Sequence, residues 1–324
     1  MLAFLVQRLL QAMAVMIAMS LLVFVGVHFI GNPIDVLIAP DVPQNIRLET
    51  IALYGLDRPL WEQYAAFVGR LLRGDFGRSF VFNVPVLDLI MGRLPATLEL
   101  VLIATLGATL VGVPLGIYAG YKPDSVVAKS IMALSILGFS VPTFWIGIIL
   151  ILTFAVNLEW LPAGNRGETV DIFGVGWSFL TLDGLKHMAL PALNLSFFKL
   201  AMMIRLARAG TREVMLTDTV KFARAAGLTE GTILRRHVLK LIAIPIVTVF
   251  GLELGSTLAF AVVTETIFSW PGVGRLIIES ITVLDRPVMV AYLVLVALLF
   301  ILINLTVDVV YALIDPRLRQ APAR

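Results

Sequence analysis

Residues 217–245, TDTVKFARAAGLTEGTILRRHVLKLIAIP, form a polar, basic segment held between two long apolar runs. Thr217 and Asp218 are helix N-cap residue types, so a short helix is predicted to start there, within about 217–230. On it Ala223, Ala226 and Gly227 fall at i, i+3 and i+4, a small, nearly bare face that another surface can approach closely. Phe222, four before Ala226, places an aromatic knob beside that face. Lys221 and Arg224 lie three apart, free to stay in water or to meet acidic groups. Gly227 is placed to end the helix, and Ile233 to Pro245 climbs back into apolar sequence.

Outward from this segment the chain is greasy. Over 324 residues it is 59% apolar, with a mean hydropathy of +0.95, too apolar for a soluble domain. Six runs have the length of membrane-crossing helices: about 9–30, 96–121, 129–157, 189–208, 239–264 and 288–314. The expected class is therefore an all-α, polytopic membrane protein with six transmembrane helices. No cysteine is present, which removes disulfides and thiolate metal sites. The net charge of +3 is small and its basic residues flank spans, so nucleic acid is not the expected partner; the lipid bilayer is. The first run is longer than a signal-peptide core, and its Ala12–Ala14 lies too early for cleavage, so it reads as an uncleaved anchor. With a cytoplasmic N-terminus, fourteen Lys and Arg lie inside and ten lie in outside segments more than twice as long. That bias puts both termini and the 217–245 loop in the cytoplasm.

The remaining pieces follow from spacing. Residues 1–31 read as the first span, 32–95 as an external region, 96–315 as a core of five spans and 316–324 as a tail. In the external region Leu60, Tyr64, Phe67 and Leu71 share one helical face, suited to a membrane surface or a partner, and Gly74–Gly77 is a turn. Pro114, Pro142 and Pro245 sit inside spans or at their ends, and Gly107, Gly112 and Gly116 give small faces for close helix contact. After a span, Trp270–Gly274 carries two turn signals, read as a gate region or an interfacial turn anchored by Trp270.

The order acidic residue, aromatic, Ala-Arg-Ala-Ala-Gly, then Ile233 and Pro245 resembles the coupling-helix motif of ABC importer permeases, with Ala226 where that family often has Lys. GLDRPLWEQY (55–64), GDFGRSF (74–80), RLPATLEL (93–100), LPAL (190–193), TETIFSWPGVGR (264–275) and VDVVYALIDPRLR (307–319) resemble the dipeptide, oligopeptide and nickel permease family, in particular its first permease. The resemblance implies a type I ABC importer (MetI-like) transmembrane domain in a bacterial inner membrane. It implies as partners a second homologous permease, two cytoplasmic ATPases and an extracytoplasmic substrate-binding protein. Peptides are the implied cargo, with a nickel chelate, glutathione or a sugar derivative as alternatives. It places Asp218, Phe222, Ala223, Arg224, Ala225, Ala226 and Gly227 at the ATPase contact. None of the six lysines follows a glycine, so the chain lacks a phosphate-binding Gly-Lys-Ser/Thr loop. ATP and Mg²⁺ are expected on the partner ATPases, and no cofactor, metal or catalytic residue in this chain.

Ionisable groups inside spans are functional candidates. Glu99 reads as a group near the outer end of its span, in a snorkelling or helix-start role. Lys199 and Glu253 lie at depths that differ by about 7 Å, close enough to pair or to meet a charged substrate along the path. Asn304 and Asp308, four apart, share a face as helix–helix glue or path lining. An ion-coupled secondary transporter, which would show repeated halves, finds no duplication here. For an intramembrane enzyme His28, His187 and His237 are scattered, and neither His-Glu-x-x-His nor Gly-x-Ser-x-Gly occurs.

Overall fold

A computed structural model describes residues 2–29, 43–53 and 57–314 of the chain. The elements are α1 (Leu2–Phe29), α2 (Gln44–Leu53), α3 (Leu60–Leu72), α4 (Val86–Tyr121), α5 (Val126–Ser140) and α6 (Thr143–Leu150), which continues as π-helix through Asn157. A hairpin of β1 (Val170–Ile172) and β2 (Val175–Trp177) follows. Then come α7 (Leu182–Met215), α8 (Asp218–Ala225), α9 (Glu230–Ile233) with a π-helical stretch Leu234–Val238, α10 (Leu239–Ile267), α11 (Val273–Thr282) and α12 (Arg286–Ile314). Among the described residues five helices are long and apolar enough to cross a membrane, and the α5–α6 pair makes a sixth if taken as one broken span. Residues 30–31, the start of the external region and the tail lie outside the described residues.

Two boundaries differ from the sequence expectation. The span expected at 129–157 breaks: α5 and α6 meet at 105°. Pro142 has no N–H and pushes the residue before it out of the helical region, and Val141 is extended at φ −91°, ψ 132°. The span expected from residue 96 instead begins at Val86, with Pro95 inside the helix. The 95/96 boundary thus falls within a continuous helix.

The chain divides into two compact units, residues 1–92 with 276–301 and residues 93–275 with 302–324. In the first, α3 turns its aromatic face onto α1: Tyr64 and Phe67 lie 5.3 and 5.8 Å from the Phe24 ring, and Ser20 and Tyr64 hydroxyls meet at 2.8 Å. That contact, rather than a membrane surface, takes Tyr64 and Phe67, while Leu60 stays exposed. The turn Gly74–Val84 wraps the buried Asp285 carboxylate, which accepts from Ser79 Oγ and from the Phe80 amide at 3.2 Å.

In the second unit α7 packs against α10, α5 and α6 and is crossed closely by α4. Cβ atoms added at Gly112, Gly116 and Gly120 would come within 2.5–2.9 Å of α7 atoms, so the backbones approach as only glycine permits. Gly107, expected to join them, faces open space, and Gly120 takes the place in the series. The hairpin, which sequence patterning left unassigned, is braced by Arg166, whose Nε meets Glu99 Oε1 at 2.6 Å and whose Nη2 donates to Gly176 O at 2.5 Å.

Candidate functional site: an exposed short helix and the charges behind it

Helix α8 is cut out of the chain by local chemistry. Thr217 holds the N-cap position at φ −70°, ψ 153°, but its hydroxyl donates back to Val214 O at 2.7 Å instead of capping α8. The stop is Gly227, at φ +80°, where its N–H reaches Arg224 O and the Leu228 N–H reaches Ala223 O, at 2.9 and 3.1 Å. This pair of bonds is a Schellman motif, and the left-handed backbone selects glycine.

An eight-residue helix does not persist alone in water and must bury a stripe. Val220 and Ala223 supply it, packing among Val214, Ile233, Val238 and Ile242. Ala223 is therefore 3% exposed and does not belong to the open face on which its spacing from Ala226 had placed it. The open side carries Asp218, Phe222, Arg224, Ala225, Ala226 and Gly227, with Phe222 77% exposed. Its charges are already matched: Lys221 meets Asp218 at 2.9 Å, and Arg224 meets Glu230 at 2.7 and 3.3 Å. The Glu230 hydrogen bond raises the Arg224 pKa above its already high value. The knob and its small neighbours thus sit on an electrically balanced surface, suited to close packing rather than to charge attraction.

Behind α8, between the two helices that carry it, Lys199 Nζ of α7 donates to Glu253 Oε2 of α10 at 3.2 Å. Both are shielded, with side-chain exposures of 7% and 15%. The structure brings these two together. Asn304 is half-buried on α12 and makes no described bond to the pair, and the Asp308 side chain lies outside the described residues. Nearer the other end of α7, Asn194 Nδ2 donates to Thr264 Oγ1 at 3.0 Å.

Two buried carboxylates complete the unit. Glu99 was expected near a helix start; because α4 begins at Val86, it lies more than three turns inside and is 1% exposed. Besides Arg166 it accepts from Ser178 N at 3.0 Å and Ser178 Oγ at 2.5 Å, which makes it the anchor of the hairpin. Glu265, not singled out from sequence, is fully buried where α11 begins. It accepts from Thr97 Oγ1 at 2.6 Å, Arg275 N at 2.9 Å and the Gly274 amide, while Thr97 Oγ1 accepts from Val273 N at 2.9 Å. Of the first amides of α11, that of Val273 goes to the Thr97 hydroxyl and those of Gly274 and Arg275 go to an acid, the favourable sign at a helix N-terminus. Cβ atoms at Gly272 and Gly274 would strike its carboxylate at 2.2 and 2.8 Å, which explains the glycines of TETIFSWPGVGR. Trp270 is fully buried with Nε1 donating to Ala96 O at 2.8 Å, a core residue rather than an interfacial anchor. The signal for Glu265 was present: an acid eight residues before a Gly-x-Gly helix start. Among the described residues no cluster of three His, Asp or Glu side chains has metal-binding spacing.

An all-α membrane protein of five or six spans, with a short exposed helix on the loop between two of them, is the class this fold defines. The family model for a binding-protein-dependent transport system inner membrane component matches residues 112–320, and the N-terminal model of the same component matches residues 1–101. The chain belongs to that family of inner membrane transport components. It is 36% identical over 98% of its length, and 99% of the relative's, to an oligopeptide transport system permease protein AppB of Bacillus subtilis. It is 37% identical to a di/tripeptide transport system permease protein DppB of Pseudomonas aeruginosa, over 99% of both chains. To a glutathione transport system permease protein GsiC of Escherichia coli it is 35% identical over 98% of this chain and 99% of that one. Among solved structures, an inward-facing MetNI methionine ABC transporter shares the fold, with a TM-score of 0.54, 15% identity, and coverage of 70% of this chain and 96% of that chain.

Proposed function

We propose that this chain is a transmembrane subunit of an ATP-driven importer of peptides, forming half of the translocation path with a second, homologous permease. An extracytoplasmic binding protein delivers the substrate, and two cytoplasmic ATPases power the cycle through the 217–245 loop. Both termini and that loop lie in the cytoplasm, and the chain itself hydrolyses no ATP. The observation that carries the reading is α8: an exposed aromatic on a charge-balanced face, seated on the core by Val220 and Ala223. In this reading Phe222, Ala225, Ala226 and Gly227 enter a groove of the ATPase, flanked by Asp218 and Arg224, and Ala223 fixes the helix from within. Closing of the ATPases moves α8 and, with it, the α7 and α10 helices on either side, a rigid-body switch.

Lys199, Glu253, Asn304 and Asp308 are proposed to line the path, where a matched pair offers charge to a zwitterionic cargo at no net charge. Peptides are favoured because two of the relatives above are named for peptide systems, and glutathione, itself peptide-like, is the second reading from the third. Ala226→Asp places a desolvated charge in the proposed groove. It is expected to abolish peptide uptake and ATPase co-purification while leaving membrane insertion intact. Retained uptake with the ATPases still bound would overturn the reading. Competition of dipeptides against glutathione on the cognate binding protein separates the two cargoes.

A further inference from the structure

The run Glu230–Ile267 is 38 residues, about 57 Å at 1.5 Å per residue, far more than a hydrocarbon core of about 30 Å needs. Its first two to three turns therefore stand in the headgroup region or beyond. There Ile233, Val238, Ile242 and Ile246 are buried on one side, and Ile242 lies against Gly210 of α7. Away from that stripe Arg235, Arg236 and Lys240 are exposed, with Leu239 and Leu241 42% and 52% exposed beside them. The π-helical stretch at Leu234–Val238 adds a residue to the turn and brings both arginines to the open side. Among the described residues these three cations have no hydrogen bond or ion pair. The nearest acids in sequence are spoken for, Glu230 by Arg224, Glu253 by Lys199 and Asp218 by Lys221.

We infer that Arg235, Arg236 and Lys240, with Leu239 and Leu241, form a site for an anionic phospholipid at the start of α10. The cations take the phosphate and the leucines take the first methylenes of its acyl chains. Three unpaired positive charges placed where an apolar span begins match that ligand in both charge and polarity. Arginine supplies a fork for the phosphate oxygens, and lysine a point charge one turn further along. The site requires α10 to span the bilayer but does not depend on peptide being the cargo or on α8 docking an ATPase.

The test is lipid retention by the full chain purified from membranes and exchanged into mixed phosphatidylcholine and phosphatidylglycerol, read by native mass spectrometry. The wild type is expected to retain phosphatidylglycerol preferentially. Each of Arg235→Gln, Arg236→Gln and Lys240→Gln is expected to reduce that preference by about fivefold. Arg70→Gln with Arg73→Gln, exposed charges outside the site, is expected to leave it unchanged. Should these variants fold poorly, a salt titration of the wild type serves the same purpose, the preference falling as salt rises. Added inorganic phosphate is expected to compete weakly, since it lacks the acyl chains; full displacement by it would assign the site to a soluble anion and overturn the proposal. Unchanged retention in the folded variants, or a salt-independent preference, would overturn it too. So would loss of ATPase co-purification with retention unchanged, which would mark the arc as a protein contact.

Discussion

Lys199 and Glu253 hold opposite charges out of water, and each keeps the other's burial tolerable. Removing one partner of a buried pair costs about 3–5 kcal/mol, while replacing both with apolar residues of similar size is often neutral. Lys199→Met alone is therefore expected to lower the thermal stability of the detergent-purified protein clearly, and Lys199→Met with Glu253→Leu to restore most of it. If the double variant recovers stability but loses uptake, the pair acts on transport and not on folding. Equal stability of the single and double variants would show that the pair is not coupled. Glu265 is a different case, because three donors converge on it. Glu265→Ala leaves those donors buried and unmet, at about 1–3 kcal/mol each. The expected outcome is loss of folded protein in size-exclusion chromatography, with Glu265→Gln milder because one acceptor oxygen remains.

At the scale of elements, α4 and α7 meet through three glycines spaced four apart. A methyl group at Gly116 would lie 2.5 Å from the Ile204 carbonyl oxygen, a backbone atom that cannot turn aside. Gly116→Ala is expected to separate the helices and lower the melting temperature. Gly107→Ala, which faces open space, is expected to be neutral or mildly stabilising by helix propensity. A melting curve of each variant decides. In α8 the contrast is between faces: Ala223→Asp buries a charge in the core and should destabilise the fold, whereas Ala226→Asp should spare the fold and act only on binding. Sequence spacing put both alanines on one face because they are three apart. Which stripe of so short a helix turns inward is set by what lies beneath it, here Val214, Ile233 and Val238.

For the molecule as a whole, membership of its family makes energy supply a matter of assembly. The purified chain is expected to show no ATP turnover alone, with turnover appearing only when the ATPases are added, by a phosphate-release assay. ATP hydrolysis by the isolated chain that survives Phe222→Ala would contradict that division of labour. The class, the spans and the exposed loop were legible from sequence because each rests on a local quantity: the length of an apolar run, the spacing of small residues, a glycine at a helix stop. Where charges went was not. Glu99 is anchored by Arg166 and Glu265 by Thr97, both far away in sequence, so apart from the glycines that follow Glu265 no local pattern marks either acid as buried. By itself the sequence determined that the chain lies in a membrane and that a short helix starts at about Thr217 or Asp218, with Gly227 placed to end it. Tertiary structure alone decided that Ala223 faces in while Phe222 faces out, and that Lys199 finds Glu253. Burial and pairing depend on which surfaces meet, and that is a property of the packed chain rather than of any segment in it.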